Sequence, residues 1–415
     1  MRKHLQSQQS RPKSLRTCLI VVCAWSLVLF AAAVESSAQS NTFPGVSESE
    51  IRLGQTVPYS GPASAFATIG RAHAAYFDMI NAQGGIGGRR IKLISLDDEF
   101  SPPKTVEQTR RLVEGEEVLA LFNSLGPGQM AVLKYVNEKH VPDLFVGSGS
   151  PEWDDPSHYP WSMGFQPEFE GEGRAFARYI VKFHPNSKIG VYATADGLGR
   201  DGLRGMTSVL GAEKVARDVT VVRYDRSDPT VDSALLSLRA SGADVLVTWI
   251  SPTAASQAIR KLHELRWHPT HLTSFVTSSV ESVLKPAGLS NAVGTVTTGF
   301  LKQPLDPAWA SDPGVQEFLG WMRKYYPTGD PADIYNAYAY TIAQTMTYVL
   351  RNCGSDYSRD NVMRQAANIR DLSLPLLLPG IKVNTSPSNY RPIRQIQLLR
   401  FTGERWAPVG DIITP

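Results

Sequence analysis

NAQGGIGGRRIKLISLDDEF, residues 81–100, places four glycines and two arginines before an apolar run and an acidic cluster. A phosphate-binding loop needs its glycines after a strand and before a helix, because the phosphate lies on free N–H groups at the helix N-terminus. Here the order is reversed, since the pattern predicts a helix over 65–81 and a strand over 91–96. The glycines are predicted to end that helix in a tight turn, remote from any ligand. We expect the whole stretch to make no ligand contact.

The residues that follow continue this alternation of strands and helices. Short strand-like runs are separated by helical patterns of ten to sixteen residues, which is typical of parallel sheets covered by helices on both faces. The strand-like runs are 51–57, 91–96, 118–122, 143–147, 188–193, 218–224, 244–250 and 271–276. They form two series, which predict an α/β fold with two doubly wound parallel-sheet lobes.

The last third of the chain has a different pattern. Helical spacing predicts helices over 315–326 and 335–351, before a proline-rich stretch over 374–392. Two strand-like runs, 394–401 and 405–413, then flank a turn at Thr402-Gly403-Glu404 and predict a closing hairpin.

The first 38 residues are interpreted as a cleaved signal peptide of an exported, periplasmic protein. Five basic residues precede an uncharged run, Cys18–Val34, and small residues follow at 36–38. An uncleaved membrane anchor is the alternative, because the run is slightly long for a signal peptide. Cleavage would remove five positive charges and one negative charge, changing the net charge from +3 to −1. The basic isoelectric point thus gives no support for nucleic-acid binding. Cys353 alone would be left, so an intrachain disulfide is excluded.

None of the sequence motifs supports catalysis, a metal site or a cofactor. His263 and His268 are five residues apart, whereas a zinc-binding helix needs a spacing of four. The Gly147–Ser150 stretch lacks the pattern of a serine nucleophile. Asp97-Asp98-Glu99 is interpreted as a solvated strand end or a helix cap.

The loops that follow the strands are better candidates for a site, since ligands of open α/β sheets bind beyond the carboxyl ends of the strands. Small residues with hydroxyl groups follow strands in both series and lead into helices, whose N-termini favour an anionic group such as a carboxylate. Ordinary caps and turns are the alternative interpretation. Trp249 is either a platform for an apolar ligand or a core residue. The loops are 59–61, 124–126, 147–150, 194–196, 248–251 and 277–279.

Four stretches together resemble the leucine/isoleucine/valine-binding protein family, the type I periplasmic solute-binding proteins of ABC importers. They include the N-x-x-G-G-I-x-G-R turn of the opening stretch. The resemblance implies two lobes joined by three crossovers, which trap a small-molecule solute by hinge closure. It also implies a membrane permease and an ATPase as partners, and we expect a monomer. The four stretches are 54–64, 81–113, 141–153 and 241–249.

The resemblance also predicts lobe boundaries and ligand-binding residues. Lobe 1 would comprise 43–164 and 299–378, and lobe 2 would comprise 165–298 and 379–415, with crossovers near 163–166, 297–300 and 377–382. Tyr335 is expected to close the pocket. The other implied ligand-binding residues are Tyr59, Phe66, Leu125, Gly126, Ser148 and Gly149 in lobe 1 and Asp196, Leu198, Trp249, Ser251 and Thr277 in lobe 2.

Three departures from the family pattern argue against a standard amino acid as the ligand. Leu125-Gly126-Pro127 stands where amino-acid-binding members present a hydroxyl, Val276-Thr277 stands where they place an acidic residue, and Leu198 replaces a common aromatic residue. An α-amino acid would lose a charge-assisted contact of about 1.5–3 kcal/mol. We expect a receptor for an aromatic or other small organic acid. The alternatives are branched-chain amino acid binding, a sensor for a signalling partner, or an enzyme such as an amidase.

Overall fold

The apolar strands of the first series pair side by side in one parallel sheet of five strands. These are β1 Glu50–Val57, β2 Arg90–Asp97, β3 Ala120–Phe122, β4 Asp143–Val146 and β5 Ser162–Gly164. Their order in the sheet is β2-β1-β3-β4-β5. β1 pairs with β2 on one side and with β3 on the other, and the later strands follow outward from β3. This is the doubly wound topology predicted from the sequence.

The strands of the second series and the closing hairpin form a sheet of seven strands, in the order β12-β11-β10-β9-β8-β6-β7. The four predicted strands of the second series run parallel to one another and to β10, which the sequence predicted only as a crossover, whereas β11 pairs antiparallel with both β10 and β12. The prediction of two doubly wound parallel-sheet lobes is confirmed, and the closing hairpin adds two antiparallel strands to the edge of the second sheet. The strands are β6 Ile189–Thr194, β7 Val219–Tyr224, β8 Val245–Trp249, β9 Thr270–Thr273, β10 Val296–Gly299, β11 Ile396–Phe401 and β12 Trp406–Ile413.

The helices begin where the sequence supplies caps. Ser251 and Asp312 each accept a hydrogen bond from the first turn of a helix that opens with proline, a residue that fits the first turn. The short helix α12 was not predicted. The helices are α1 Ala67–Ala82, α2 Pro102–Arg110, α3 Gln129–Glu138, α4 Phe169–Phe183, α5 Gly197–Leu210, α6 Ala212–Asp218, α7 Asp232–Ala240, α8 Pro252–Glu264, α9 Lys285–Ala287, α10 Pro313–Tyr325, α11 Ile334–Asn352 and α12 Arg359–Ala366.

The glycine turn of the opening stretch has the conformation that its sequence predicts. Gly85 has a φ of 73° and donates its N–H to the carbonyl of Ile80, at 2.9 Å, which ends α1. A Cβ on Gly85 would lie 2.0 Å from the carbonyl oxygen of Arg89, so no other residue fits there. The turn leads into the first residue of β2, at the amino end of the sheet.

The computed structural model describes residues 43–226 and 228–415, and residues 43–415 belong to one compact unit. The predicted signal peptide, 1–38, lies outside the described residues. We call the elements around the five-stranded sheet the first lobe and those around the seven-stranded sheet the second lobe. Within the described part, no helix is long and apolar enough to cross a membrane.

The chain passes between the two lobes three times. After β5 it enters α4, whose buried face packs on the second sheet, and after β10 it returns to helices that pack with α1. Leu378 then donates its N–H to the carbonyl of Phe300 at 3.0 Å, and the chain joins the second sheet at Ile396. The lobe boundaries at 164, 298 and 378 stay predictions.

Candidate functional site

A cavity of about 150 Å³ lies between the two lobes, beyond the carboxyl ends of their strands. This is where ligands of open α/β sheets bind. The volume is close to that of an engineered cavity known to hold benzene. Six strands are followed by residues that line it: Phe100 after β2, Leu125 after β3, Ser148 after β4, Asp196 after β6, Arg226 after β7 and Ser251 after β8.

Eight aromatic side chains line the cavity. The rings contact one another, since Phe66 and Tyr335 lie 5.1 Å apart between centroids and Phe275 and Phe300 lie 6.1 Å apart, both pairs edge to face. Such a wall buries an apolar ligand body and offers few polar groups. The aromatic lining residues are Phe66, Phe100, Trp153, Phe169, Phe275, Phe300, Tyr335 and Tyr338.

Asp196 lines the cavity, and both of its carboxylate oxygens already have partners. Oδ1 accepts the Thr194 hydroxyl at 2.6 Å and the Leu198 N–H at 3.2 Å, which caps α5. Oδ2 pairs with Nη1 of Arg226 at 2.5 Å. Asp196 therefore fixes both the start of α5 and the guanidinium of Arg226.

Phe100 reaches the cavity through an unusual backbone conformation. Glu99 and Phe100 have φ values of 55° and 60°, a left-handed conformation that costs energy for residues other than glycine. The two preceding aspartates stabilise it: Asp97 accepts the N–H of Glu99 at 2.9 Å, and Asp98 accepts that of Phe100 at 3.1 Å. Burial raises the pKa of Asp98 to about 6. The acidic cluster thus holds Phe100 in the wall.

A buried polar group lines the inner part of the cavity. The Gln166 Nε2 atom donates to the hydroxyl of Tyr338 at 3.4 Å, and the Gln166 Oε1 atom is buried without a hydrogen-bond partner in the described part of the chain. The Tyr338 hydroxyl also accepts from the amide of Asn123 at 3.3 Å, and burial raises its pKa to about 12. A side-chain amide with an unused acceptor can hydrogen-bond a ligand hydroxyl or N–H group.

Glu172 lies behind the wall and holds it in place. This residue is fully buried, which raises the pKa of its carboxyl. It accepts the N–H of Phe275 and the hydroxyl of Thr298, both at 2.8 Å, and both of those residues line the cavity. It also accepts the indole N–H of Trp249 at 3.0 Å.

The structure brings eight of the twelve predicted ligand-binding residues together around the cavity. Their role in binding stays a prediction, but their position is the one expected from the loops beyond the strands. The eight are Phe66, Leu125, Gly126, Ser148, Asp196, Leu198, Ser251 and Tyr335.

Two of the other four predicted residues lie in the second lobe and face away from the cavity. Trp249 is fully buried, stacks on Phe176 with centroids 6.0 Å apart and belongs to the core under α4. Thr277 is also fully buried, and its hydroxyl donates to the carbonyl of Ser274 at 2.8 Å. Ser274 caps the 3₁₀ turn at Phe275–Thr277, which replaces the end of the predicted strand over 271–276.

The remaining two predicted residues lie in the first lobe, and both make hydrogen bonds that stabilise the fold. The Tyr59 hydroxyl lies 2.7 Å from the hydroxyl of Ser95, beside β1. The Gly149 carbonyl accepts the N–H of Phe169 at 3.0 Å and so supports the start of α4. Neither Tyr59 nor Gly149 lines the cavity.

The sequence interpretation missed several lining residues, notably Phe100, Gln166 and Arg226. Phe100 is the last residue of the opening stretch and lines the cavity, whereas the glycines of that stretch do not. The expectation that the stretch makes no ligand contact stays a prediction, and Phe100 is the residue that could contradict it. The signal was available, because Phe100 follows β2 just as Ser148 follows β4. Among the described residues, no group of three or more histidines, cysteines or carboxylates is placed to hold a metal ion.

A family model of periplasmic binding proteins matches residues 50–405. The chain belongs to the periplasmic binding protein family. The resemblance to its leucine/isoleucine/valine-binding members is confirmed. Members of this family are periplasmic binding receptors.

Individual relatives are distant in sequence and similar in fold. Leu/Ile/Val-binding protein homolog 7 of Brucella abortus is 22% identical over 325 residues, 72% of this chain and 75% of that protein. The crystal structure of a branched chain amino acid ABC transporter from Thermus thermophilus with bound valine has a TM-score of 0.78, at 16% identity, over 89% of this chain and 98% of that chain. A fatty acid ABC transporter substrate-binding protein from Thermomonospora curvata has a TM-score of 0.73, at 19% identity, over 90% and 95%.

Proposed function

We propose that this periplasmic binding protein captures a small organic acid with an aromatic or other apolar body between its lobes. Closure of the lobes holds the acid, and the protein delivers it to the membrane permease of an ABC importer without catalysing a reaction. The observation that carries the proposal is the cavity itself, which combines an aromatic wall with the single ion pair of Asp196 and Arg226. The volume of about 150 Å³ suits a single-ring carboxylate.

The preference for an anion follows from the helices around the cavity. The partial positive charge at a helix N-terminus stabilises a nearby negative charge by about 0.3–1 kcal/mol. Four helices begin at the cavity, and their first residues line it: Phe169 of α4, Gly197 of α5, Pro252 of α8 and Ile334 of α11.

The preference for a simple acid over an amino acid follows from Asp196. An α-ammonium group needs a carboxylate partner in an apolar cavity, and both oxygens of Asp196 are engaged by Thr194, Leu198 and Arg226. The names of the relatives favour a second candidate, branched-chain amino acid binding. Valine and fatty acids share a carboxylate and an apolar body, which is the chemistry proposed here for the ligand.

A thermal-shift screen of the purified mature protein tests the proposal. Benzoate, phenylacetate and 4-hydroxybenzoate are compared with leucine, isoleucine and valine, since a ligand that binds only the folded state raises the unfolding temperature. We expect at least one aromatic acid to give the larger shift. Larger shifts with the branched-chain amino acids would replace the proposal with the second candidate.

A pair of phenylalanine variants locates the binding. Phe66→Ala removes a lining ring and should weaken binding of the best acid about tenfold or more. Phe183→Ala removes a ring that is 49% exposed at the end of α4, outside the cavity lining, and should leave the affinity unchanged. Equal effects of the two changes would place the ligand elsewhere.

A further inference from the structure

Arg226 links the two lobes at the edge of the cavity. It follows β7 in the second lobe, where its Nη1 atom pairs with Oδ2 of Asp196 at 2.5 Å. Its guanidinium also lies over the ring of Phe100 in the first lobe, 4.9 Å from the centroid. Neither partner was connected with Arg226 by the sequence, because the three residues come from three separate loops.

Both partners of Arg226 are themselves fixed, so its guanidinium is held in one position. Asp196 is fixed by its hydrogen bonds at the start of α5, and Phe100 by the aspartates that stabilise its left-handed backbone. A cation between a carboxylate and an aromatic face is stabilised by both. The free energy needed to order this side chain is therefore supplied before a ligand binds.

The guanidinium of Arg226 retains an unused donor. The Nε atom is buried and has no hydrogen-bond partner in the described part of the chain. A buried N–H group without a partner is costly, and a ligand acceptor would remove that cost. The Nε–H group lies on the edge of the guanidinium that can bind a carboxylate with two parallel hydrogen bonds.

We propose that Arg226 is the specificity-determining residue of the cavity and that its Nε edge binds the carboxylate of the ligand. The inference rests on the proposed function and adds to it the group that selects acids over neutral molecules of the same shape. Asp196 positions Arg226 and does not contact the ligand carboxylate. The aromatic wall then binds the body of the ligand irrespective of its charge.

Pairs of an acid and its amide test the inference, because they differ in charge and have nearly the same shape. Calorimetric titrations of benzoate against benzamide, and of phenylacetate against phenylacetamide, give the acid-to-amide ratio of affinities. We expect the wild-type protein to prefer the acid about 10- to 100-fold, and Arg226→Gln to bring the ratio close to one. Arg226→Lys should give an intermediate ratio, since an ammonium group keeps the charge but cannot make two parallel hydrogen bonds to a carboxylate.

Two further variants complete the test. Arg89→Gln is the matched control: the Arg89 guanidinium also lies over an aromatic ring, at 5.4 Å from the centroid of Tyr357, but at the glycine turn. Its ratio should equal that of the wild type. Asp196→Asn keeps a good helix cap but weakens the ion pair that holds the Arg226 guanidinium in place, so the preference for the acid should fall below that of the wild type.

The outcomes separate the inference from the proposed function. Equal losses of acid and amide affinity in Arg226→Gln would show that Arg226 only joins the lobes, and an acid preference in Asp196→Asn that stays at the wild-type value or rises would contradict the positioning role given to Asp196. Either result would overturn the inference while leaving the proposed function intact. If the wild type bound none of the acids, the proposed function would fail, and the inference with it.

Discussion

Asp143 should make the stability of the protein fall as the pH rises above about 4, and Asp143→Asn should remove this contribution. Asp143 is the first residue of β4 and is fully buried between β3 and β5. Its N–H donates to the carbonyl of Trp161, but neither carboxyl oxygen has a hydrogen-bond partner among the described residues. Burial raises its pKa from 3.8 to about 7.

The sign and size of the effect follow from these two pKa values. Between about pH 4 and pH 7 the folded protein keeps a proton on Asp143 that the unfolded chain has lost, so the free energy of unfolding falls as the pH rises. At about 1.4 kcal/mol for each pKa unit, the whole titration costs about 4 kcal/mol, of which more than half falls between pH 5 and pH 8. The asparagine variant cannot titrate and loses this term.

Urea unfolding of the wild type and of Asp143→Asn from pH 5 to pH 8 measures the effect. Burial lowers the pKa of His73 to about 3 and of His271 to about 4, which makes stability rise with pH up to about 6.5. Both histidines are common to the two proteins, so the difference between the curves isolates Asp143. Asp78→Asn, an exposed change on α1, should run parallel to the wild type. Parallel curves for Asp143→Asn as well would refute the reasoning.

Two further predictions concern the core beneath the cavity and the closure of the lobes. Trp249→Phe removes one hydrogen bond to the buried Glu172, so it should lower the free energy of unfolding by about 1–3 kcal/mol. Ligand affinity measured by calorimetry should change less than threefold. A larger loss of affinity would show that Trp249 belongs to the binding site. A Cβ on Gly197 would lie 2.1 Å from Oγ of Ser150 in the opposite lobe. Gly197→Ala should therefore hinder closure of the lobes and cost about 1–3 kcal/mol of binding free energy. Gly115→Ala is the control, because its Cβ would lie in open space and the variant should bind ligand like the wild type.

The sheets were predictable because their signal is local. Buried strands are short apolar runs, and the predicted bounds of β1 and β2, 51–57 and 91–96, differ from the observed ones by one residue at most. Caps and glycine stops lie within a few residues of the helices that they bound, so α11 was predicted within one residue at each end. The antiparallel pairing of β11 with β10 could not be read in this way, because it joins strands that are about a hundred residues apart.

The site was predictable only to the level of its loops. Neighbouring residues on an extended segment point to opposite sides, so an error of one position exchanges a core residue for a cavity residue. Trp249 belongs to the core, whereas the next residue, Ile250, lines the cavity. A tryptophan at a strand end carries no local signal that decides between the two sides.

The acidic end of the opening stretch shows how a functional feature can look like ordinary surface chemistry in a sequence. Asp97-Asp98 follows a strand, and a solvated strand end or a helix cap explained it adequately. In the folded protein the two carboxylates stabilise consecutive left-handed residues, and the second of these, Phe100, carries the ring beneath the guanidinium of Arg226. Strained backbone persists where the surrounding structure over-determines it, and such positions cluster at ligand sites. The strain at Phe100, rather than the glycines that precede it, therefore connects this stretch to the cavity.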